Sequence, residues 1–120
     1  MDNLKAVAGD ARYKFVQGDI ASESDVQALL ATEKPDAIIN FAAESHVDRS
    51  ITEPMEFLRT NVLGVQVLLA ATKKHGVSRM IQISTDEAFG VNESGEFTED
   101  SPLLPRSPYA VSKAAGEMLF

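Results

Sequence analysis

The hydrophobic positions of the chain fall into short clusters separated by polar stretches. Residues 14–20 (KFVQGDI) place Phe15, Val16 and Ile20 around a Gly-Asp pair, which predicts a short strand running into a loop. Ser22 stands where an N-cap belongs, with Asp25 three residues on as a weak capping box. Val26, Leu29 and Leu30 follow near the i, i+3, i+4 spacing of a buried helical face, so residues 23–32 predict a helix. Pro35 blocks its continuation. Residues 37–41 (AIINF) form an apolar run with one polar break, the pattern of a parallel strand covered on both faces.

Residues 44–53 (ESHVDRSITE) are polar and read as loop. Pro54 suits a first helical turn, and the chain is helix-like from there to His75. Gly76 is a stop signal after Lys73, Lys74 and His75. The centre of this helix is apolar around much of its circumference, so it should pack on a sheet and on a second element. Residues 78–84 (SRMIQIS) predict another strand. Residues 86–106 exceed the usual connection length, and such loops tend to carry function or disorder. Ser107-Pro108 then opens a last helix, still running at Phe120. The order β-α-β-α-β-loop-α implies an α/β fold of parallel βαβ units.

Composition narrows the function classes. A chain of 120 residues fits one domain spanning 1–120. Hydrophobic residues at 44% and charged residues at 24% are ordinary for a globular protein. With 11 Lys plus Arg against 18 Asp plus Glu, the net charge of −7 argues against a nucleic-acid binder. No polybasic patch invites an anionic membrane, and no apolar run nears the roughly 18 residues of a spanning helix. Cysteine is absent, so disulfides and thiolate chemistry are out. A soluble, cytoplasmic protein is the expectation.

Several residues then stand out. Tyr109 and Lys113 are four apart on the last helix and share a face. An ammonium within roughly 4–6 Å favours a phenolate, so the pair suits a tyrosine base tuned by a lysine. Chance spacing on a solvated helix is the plainer alternative. Thr85, Asp86 and Glu87 follow a strand end, where open α/β sheets bind ligands. Asp86 and Glu87 suit an acid–base pair, provided the backbone has left the pleat by Asp86. A solvated acidic loop is the alternative. Phe41-Ala42-Ala43-Glu44-Ser45 also follows a strand end, and its small alanines allow either a flat cofactor or tight packing. Asp19 ends the first strand, to bind a ligand or start a turn. His46 and His75 lack metal-ligand spacing, so no metal site is expected.

Taken together, YKFVQGDI (13–20), FAAESHVDRSI (41–51), Thr60-Asn61-Val62, ISTDE (83–87) and Ser107-Pro108-Tyr109 through Lys113 resemble the extended short-chain dehydrogenase/reductase family. Within it they look most like the 4,6-dehydratases that act on dTDP-linked glucose. The resemblance implies a partial Rossmann-like, doubly wound parallel sheet and bound NAD. It implies that Asp19 and Ile20 contact the adenine end, and that Phe41, Ala42, Ala43, Glu44, Ser45 and Thr60 line the rest of the cofactor together with Tyr109 and Lys113. It gives Tyr109 and Lys113 the C4 hydroxyl proton, Glu87 the C5 proton, and Asp86 the departing C6 hydroxyl. Thr85 orients the C4 oxygen, and Ser45 lies near the nucleotide-sugar substrate. Residues 54–75 and 108–120 would form a homodimer interface.

The family pattern Val-Tyr-Gly reads Ala88-Phe89-Gly90 here, and the seven glycines contain no G-x-G-x-x-G cluster. The chain therefore reads as an internal piece of a longer enzyme. In the Rossmann strand order two further strands would lie between the strand at 15–19 and the strand at 37–41. The isolated chain is expected to be marginally stable, to bind NAD weakly and to be inactive. The alternatives are another nucleotide-sugar dehydratase or a 4-epimerase, in which Asp86-Glu87 has no task. A non-catalytic fragment that at most self-associates is the alternative of another class.

Overall fold

The computed structural model describes residues 2–92 and 95–120, Asp2 by its backbone alone. Positions 93 and 94 of the predicted long loop lie outside the described residues. After a 3-10 turn at Asp2–Leu4, helix α1 spans Glu23–Glu33. Ser22 Oγ accepts from the Asp25 N–H at 3.3 Å, satisfying one donor that the first turn leaves open. The expected capping box does not close: the Ser22 N–H goes to the Asp19 carbonyl, and the Asp25 carboxylate accepts from the Asp19 N–H. Val26 and Leu30 are buried, but Leu29 stays exposed at the rim of a groove.

Strands β1 (Ala37–Asn40) and β2 (Arg79–Gln82) pair in parallel, Ala37 opposite Arg79 and Asn40 opposite Gln82. Buried Asn40 joins them by its side chain: its Nδ2 donates to Gln82 Oε1 at 2.8 Å, and its Oδ1 accepts from the Ala42 N–H. The expectation that β1 is covered on both faces is corrected. Val26 and Leu30 of α1, with Leu68 and Ala71, pack over the Ile38 and Met80 side. On the other side Ile39 is 55% exposed and Ile81 43%.

The helix expected over 54–75 is continuous, in three parts. Helix α3 (Pro54–Leu58) runs through a π turn at Arg59–Leu63 into α4 (Gly64–His75). At the π turn the Gly64 N–H donates to the Arg59 carbonyl, one residue further back than in an α-helix. Gly76 closes α4 in the left-handed region at φ 68°.

Three further expectations are corrected. Residues 14–19 are not a strand: no described strand lies beside them to form a ladder. A groove of about 780 Å³, lined by Val16, Ile20, Leu29 and Ile38 among others, lies between this segment and β1. The polar stretch 44–53 is not all loop, because Val47–Thr52 forms helix α2. It turns a fully buried Ser50 inward, its Oγ donating to the Val47 carbonyl. On its outer side Arg49 pairs with Glu53 four residues on. Helix α5 spans Pro108–Glu117 and stops short of Phe120. There the Phe120 N–H turns back three residues to the Glu117 carbonyl. Its start matches the reading: Ser107 Oγ accepts from the Ala110 N–H at 3.0 Å, with Pro108 at N1.

Candidate functional site

Three segments gather at the carboxyl end of the sheet. Residues 41–46 leave β1, residues 83–89 leave β2, and the first turns of α5 lie against them. The π turn holds this group from beneath, packed on α5.

β2 ends at Gln82, and Asp86–Phe89 is a 3-10 turn. The backbone has therefore left the pleat by Asp86, the condition for both carboxylates to serve one ligand. Thr85 caps the turn, its Oγ1 accepting from the Glu87 N–H at 3.3 Å. Asp86 and Glu87 are exposed while Ala88 is fully buried, so the turn is anchored at one residue and offers its acids outward. Gly90 follows at φ 94°, where an added Cβ would lie 2.6 Å from the Leu104 carbonyl oxygen. The departure at Phe89 has a packing role: its ring stacks on Phe97 with centroids 5.2 Å apart.

Lys113 is buried, at 6% exposure. Its Nζ donates to the Ile83 carbonyl at 2.5 Å, which ties α5 to the end of β2 beside Ser84 and Thr85. Burial pushes its ammonium below the ordinary lysine value, partly offset by the Glu117 carboxylate. One turn on, Glu117 Oε2 accepts from Ser84 Oγ at 2.6 Å, a second tie between the same elements. Tyr109 is half-buried, and its ring meets Phe57 edge-on at 6.4 Å. Arg49 lies 5.9 Å over the other partner of that contact, the Phe57 ring, and pairs with Glu44 at 3.2 Å.

In the 41–46 segment Phe41 is 73% exposed, Ala42 and Ser45 are exposed, and Ala43 and Glu44 are half-buried. Asp19 is more distant in the chain but is brought to this array. Its carboxylate accepts from Arg59 and from the Ala21 N–H, so it is held below the usual carboxylate range by the guanidinium. Arg59 directly precedes half-buried Thr60. Ile20 meets Gly64, where an added Cβ would come within 2.8 Å of its side chain. A chain of contacts thus links Asp19 and Ile20 to the π turn, the π turn to the 41–46 segment and α5, and α5 to Ile83.

His46 and His75 are not brought together. His46 precedes α2, while His75 Nε2 meets Gln27 Oε1 at 2.7 Å and ties α4 to α1. Sequence reasoning passed over Arg49, Ser112 and the side chain of Asn61. A signal was present for Asn61, an amide at the start of the apolar helix centre.

The 41–45 stretch offers an exposed aromatic and two small residues at a strand end, with Thr60 and the buried ammonium of Lys113 nearby in the contact chain.

Known proteins are similar to this chain in sequence and fold. The family model described as GDP-mannose 4,6 dehydratase matches residues 1–120. A dTDP-glucose 4,6-dehydratase of Streptomyces griseus is 49% identical over 118 residues, which is 98% of this chain and 35% of that protein. A human dTDP-D-glucose 4,6-dehydratase is 44% identical over 117 residues, 98% of this chain and 33% of its own. The chain thus spans about a third of the length of the curated relatives it matches. Among solved structures, the dTDP-glucose 4,6-dehydratase DesIV of Streptomyces venezuelae, with NAD bound, superposes with a TM-score of 0.92. It is 47% identical, and the match covers 98% of this chain and 36% of that one. A UDP-Glc/GlcNAc 4-epimerase of Campylobacter jejuni superposes at 0.86 with 31% identity, covering 98% of this chain and 35% of that one. These neighbours share a Rossmann-type α/β fold, and by sequence and structure alike this chain belongs to the GDP-mannose 4,6 dehydratase family.

Proposed function

We propose that these residues are the catalytic segment of a longer nucleotide-sugar 4,6-dehydratase that converts dTDP-glucose to its 4-keto-6-deoxy product. The supporting observation is the turn after β2. There Thr85, Asp86 and Glu87 follow one another outside the pleat, beside the Ile83 carbonyl that Lys113 holds. An epimerase needs a tyrosine, a lysine and a hydroxyl, and leaves two adjacent acids without a task.

Asp19, Ile20, residues 41–45, Thr60, Tyr109 and Lys113 would hold NAD, which accepts a hydride from the sugar and later returns it. Tyr109 takes the C4 hydroxyl proton, with Lys113 holding positive charge beside it. Thr85 donates to the C4 oxygen, and Ser45 positions the sugar. Glu87 removes the proton from C5, and Asp86 protonates the C6 hydroxyl so that it leaves as water. Leu58 and Val111 support a homodimer through residues 54–75 and 108–120: both are exposed, and they share a groove with Pro54 and Pro108.

The test uses the longer polypeptide, with product followed by NMR in deuterated water. Unaltered protein should form the 4-keto-6-deoxy sugar with solvent deuterium at C5. Glu87→Gln should slow that by about 10²–10⁴-fold while NAD stays bound. No product from NAD-loaded, unaltered protein would overturn the reading. Activity of Glu87→Gln near that of the unaltered protein would overturn the role of Glu87.

A further inference from the structure

The 3-10 turn Asp86–Phe89 is fastened at both ends, and its far end is held by residues that the proposed chemistry leaves unused. At its start Thr85 caps it, and the Ala88 N–H donates to the Thr85 carbonyl at 3.2 Å. At its close the Ala88 carbonyl accepts from the Leu104 N–H at 3.0 Å, and the Phe89 ring lies on Phe97 with the two planes 26° apart. Between Phe97 and Leu104 the chain closes on itself. The Ser101 N–H donates to the Thr98 carbonyl at 3.0 Å, and Ser101 Oγ accepts from the Thr98 N–H at 2.9 Å. Residues 97–104 therefore touch the turn at Phe89, loop out and return to it at Ala88. Three residues beyond Leu104, Ser107 caps the helix that carries Tyr109.

From this geometry we infer that Phe97 is a positioning residue: stacked on Phe89, it sets the tilt of the turn that presents Asp86 and Glu87. A single 3-10 turn has few hydrogen bonds of its own, so its orientation comes from what grips its ends. The Leu104 bond fixes one point of the turn and leaves it free to rotate about that point. The ring stack lies one residue further on and removes that freedom. Stacked rings prefer particular plane angles and offsets, so the contact is directional where an aliphatic one is not. Simple covering of apolar surface is the plainer account, and it carries no preference between the steps of a reaction. A tilt does. Asp86 and Glu87 are assigned to the loss of water, whereas Tyr109 and Lys113 are assigned to the oxidation at C4. α5 keeps its own ties to the end of β2 through Lys113 and Glu117. A slackened turn should therefore slow the loss of water and spare the oxidation.

The inference rests on the proposed dehydratase reading for its catalytic consequence, and its test separates the two. Phe97→Ala, Phe97→Tyr and Phe89→Leu are made in the longer, NAD-loaded polypeptide. Three quantities are read: absorbance of reduced nicotinamide after rapid mixing with dTDP-glucose, formation of the 4-keto-6-deoxy product, and amide exchange at residues 87–90 against that of β1 and β2. In Phe97→Ala the nicotinamide should be reduced as fast as in the unaltered protein and then stay reduced. Product should form roughly 10–10²-fold more slowly, the upper figure being the scale of a misplacement near 1 Å. Exchange at 87–90 should quicken with the strands unchanged. Phe89→Leu, which keeps an apolar side chain but no ring, should behave in the same way. Phe97→Tyr keeps the ring and should restore product formation. Reduction and product formation slowed alike, neither of them slowed, or a Phe97→Tyr as slow as Phe97→Ala would overturn the inference. If the unaltered protein does not act on dTDP-glucose, the functional reading falls and the exchange comparison alone decides for Phe97, unchanged exchange at 87–90 overturning it. If Phe97→Ala fails to fold, Phe89→Leu compared with Phe97→Tyr decides.

Discussion

Lys113 does two things with one ammonium. It is assigned to the proposed reaction, and it holds the Ile83 carbonyl at the end of β2. Burial lowers its pKa, so its charged form is disfavoured in the fold relative to the unfolded chain, whose value is near 10.5. The consequence for stability has a definite sign. Between the lowered folded value and 10.5 the unfolded state binds the proton and the folded state does not, so stability rises with pH across that window. Below the window the full penalty of the buried charge remains. Thermal melts of the unaltered protein and Lys113→Met, compared from pH 7 upward, should show the unaltered protein gaining on the variant as pH climbs toward 10.5. A constant difference would mean that the amine titrates like a solvated one. The helix that carries Tyr109 and Lys113 was legible from Ser107 and Pro108. The Ile83 contact was not, since it joins residues 30 apart and depends on how α5 lies across the sheet.

At the scale of elements, α5 approaches the π turn so closely that Gly116 has no room for a side chain. Gly116→Ala should destabilise the fold by about 1–3 kcal/mol, because the obstacle is backbone and one of the two helices must shift. Urea melts of the variant check this, and a neutral or stabilising result would mean that α5 can slide. Elements that announce themselves do so through caps: Ser22 for α1, whose hydroxyl caps although the box does not close, and Ser107 with Pro108 for α5. Two elements carried no such signal. α2 hides in a polar stretch because its inward residue is a serine and its outer side is an ion pair. The π turn is a matter of one extra residue per turn, and no glycine or proline within Arg59–Leu63 marks it. Residues 14–19 failed in the opposite direction. Their apolar content is that of a strand, but a strand is a property of pairs, and no described partner lies alongside.

The whole molecule is looser than its length requires. Its accessible surface is 8398 Å², against about 6,300 Å² for a compact monomer of its mass. Its radius of gyration is 16.0 Å, against about 13.6 Å for a compact chain of its length. The excess includes apolar side chains on one sheet face, Ile39 and Ile81, with Phe41 and Ile83 just beyond the strands. A bare sheet face of this kind invites association. The 120-residue chain alone should sediment as a self-associating species with a broad melt, and a sharp melt of pure monomer would contradict this. Another consequence concerns the segment that carries Asp19 and Ile20. Two of the ties that hold residues 14–20 are ion pairs at the surface, Lys14 to Glu33 and Asp19 to Arg59. Ionic strength should therefore act on this part of the molecule and spare the strands. At about 1 M salt the screening length falls to roughly 3 Å, and such pairs lose most of their hold. If Asp19 and Ile20 receive the adenine end of a dinucleotide, its grip becomes salt-sensitive through a segment remote from every phosphate, and brine would loosen the cofactor at the end opposite the chemistry.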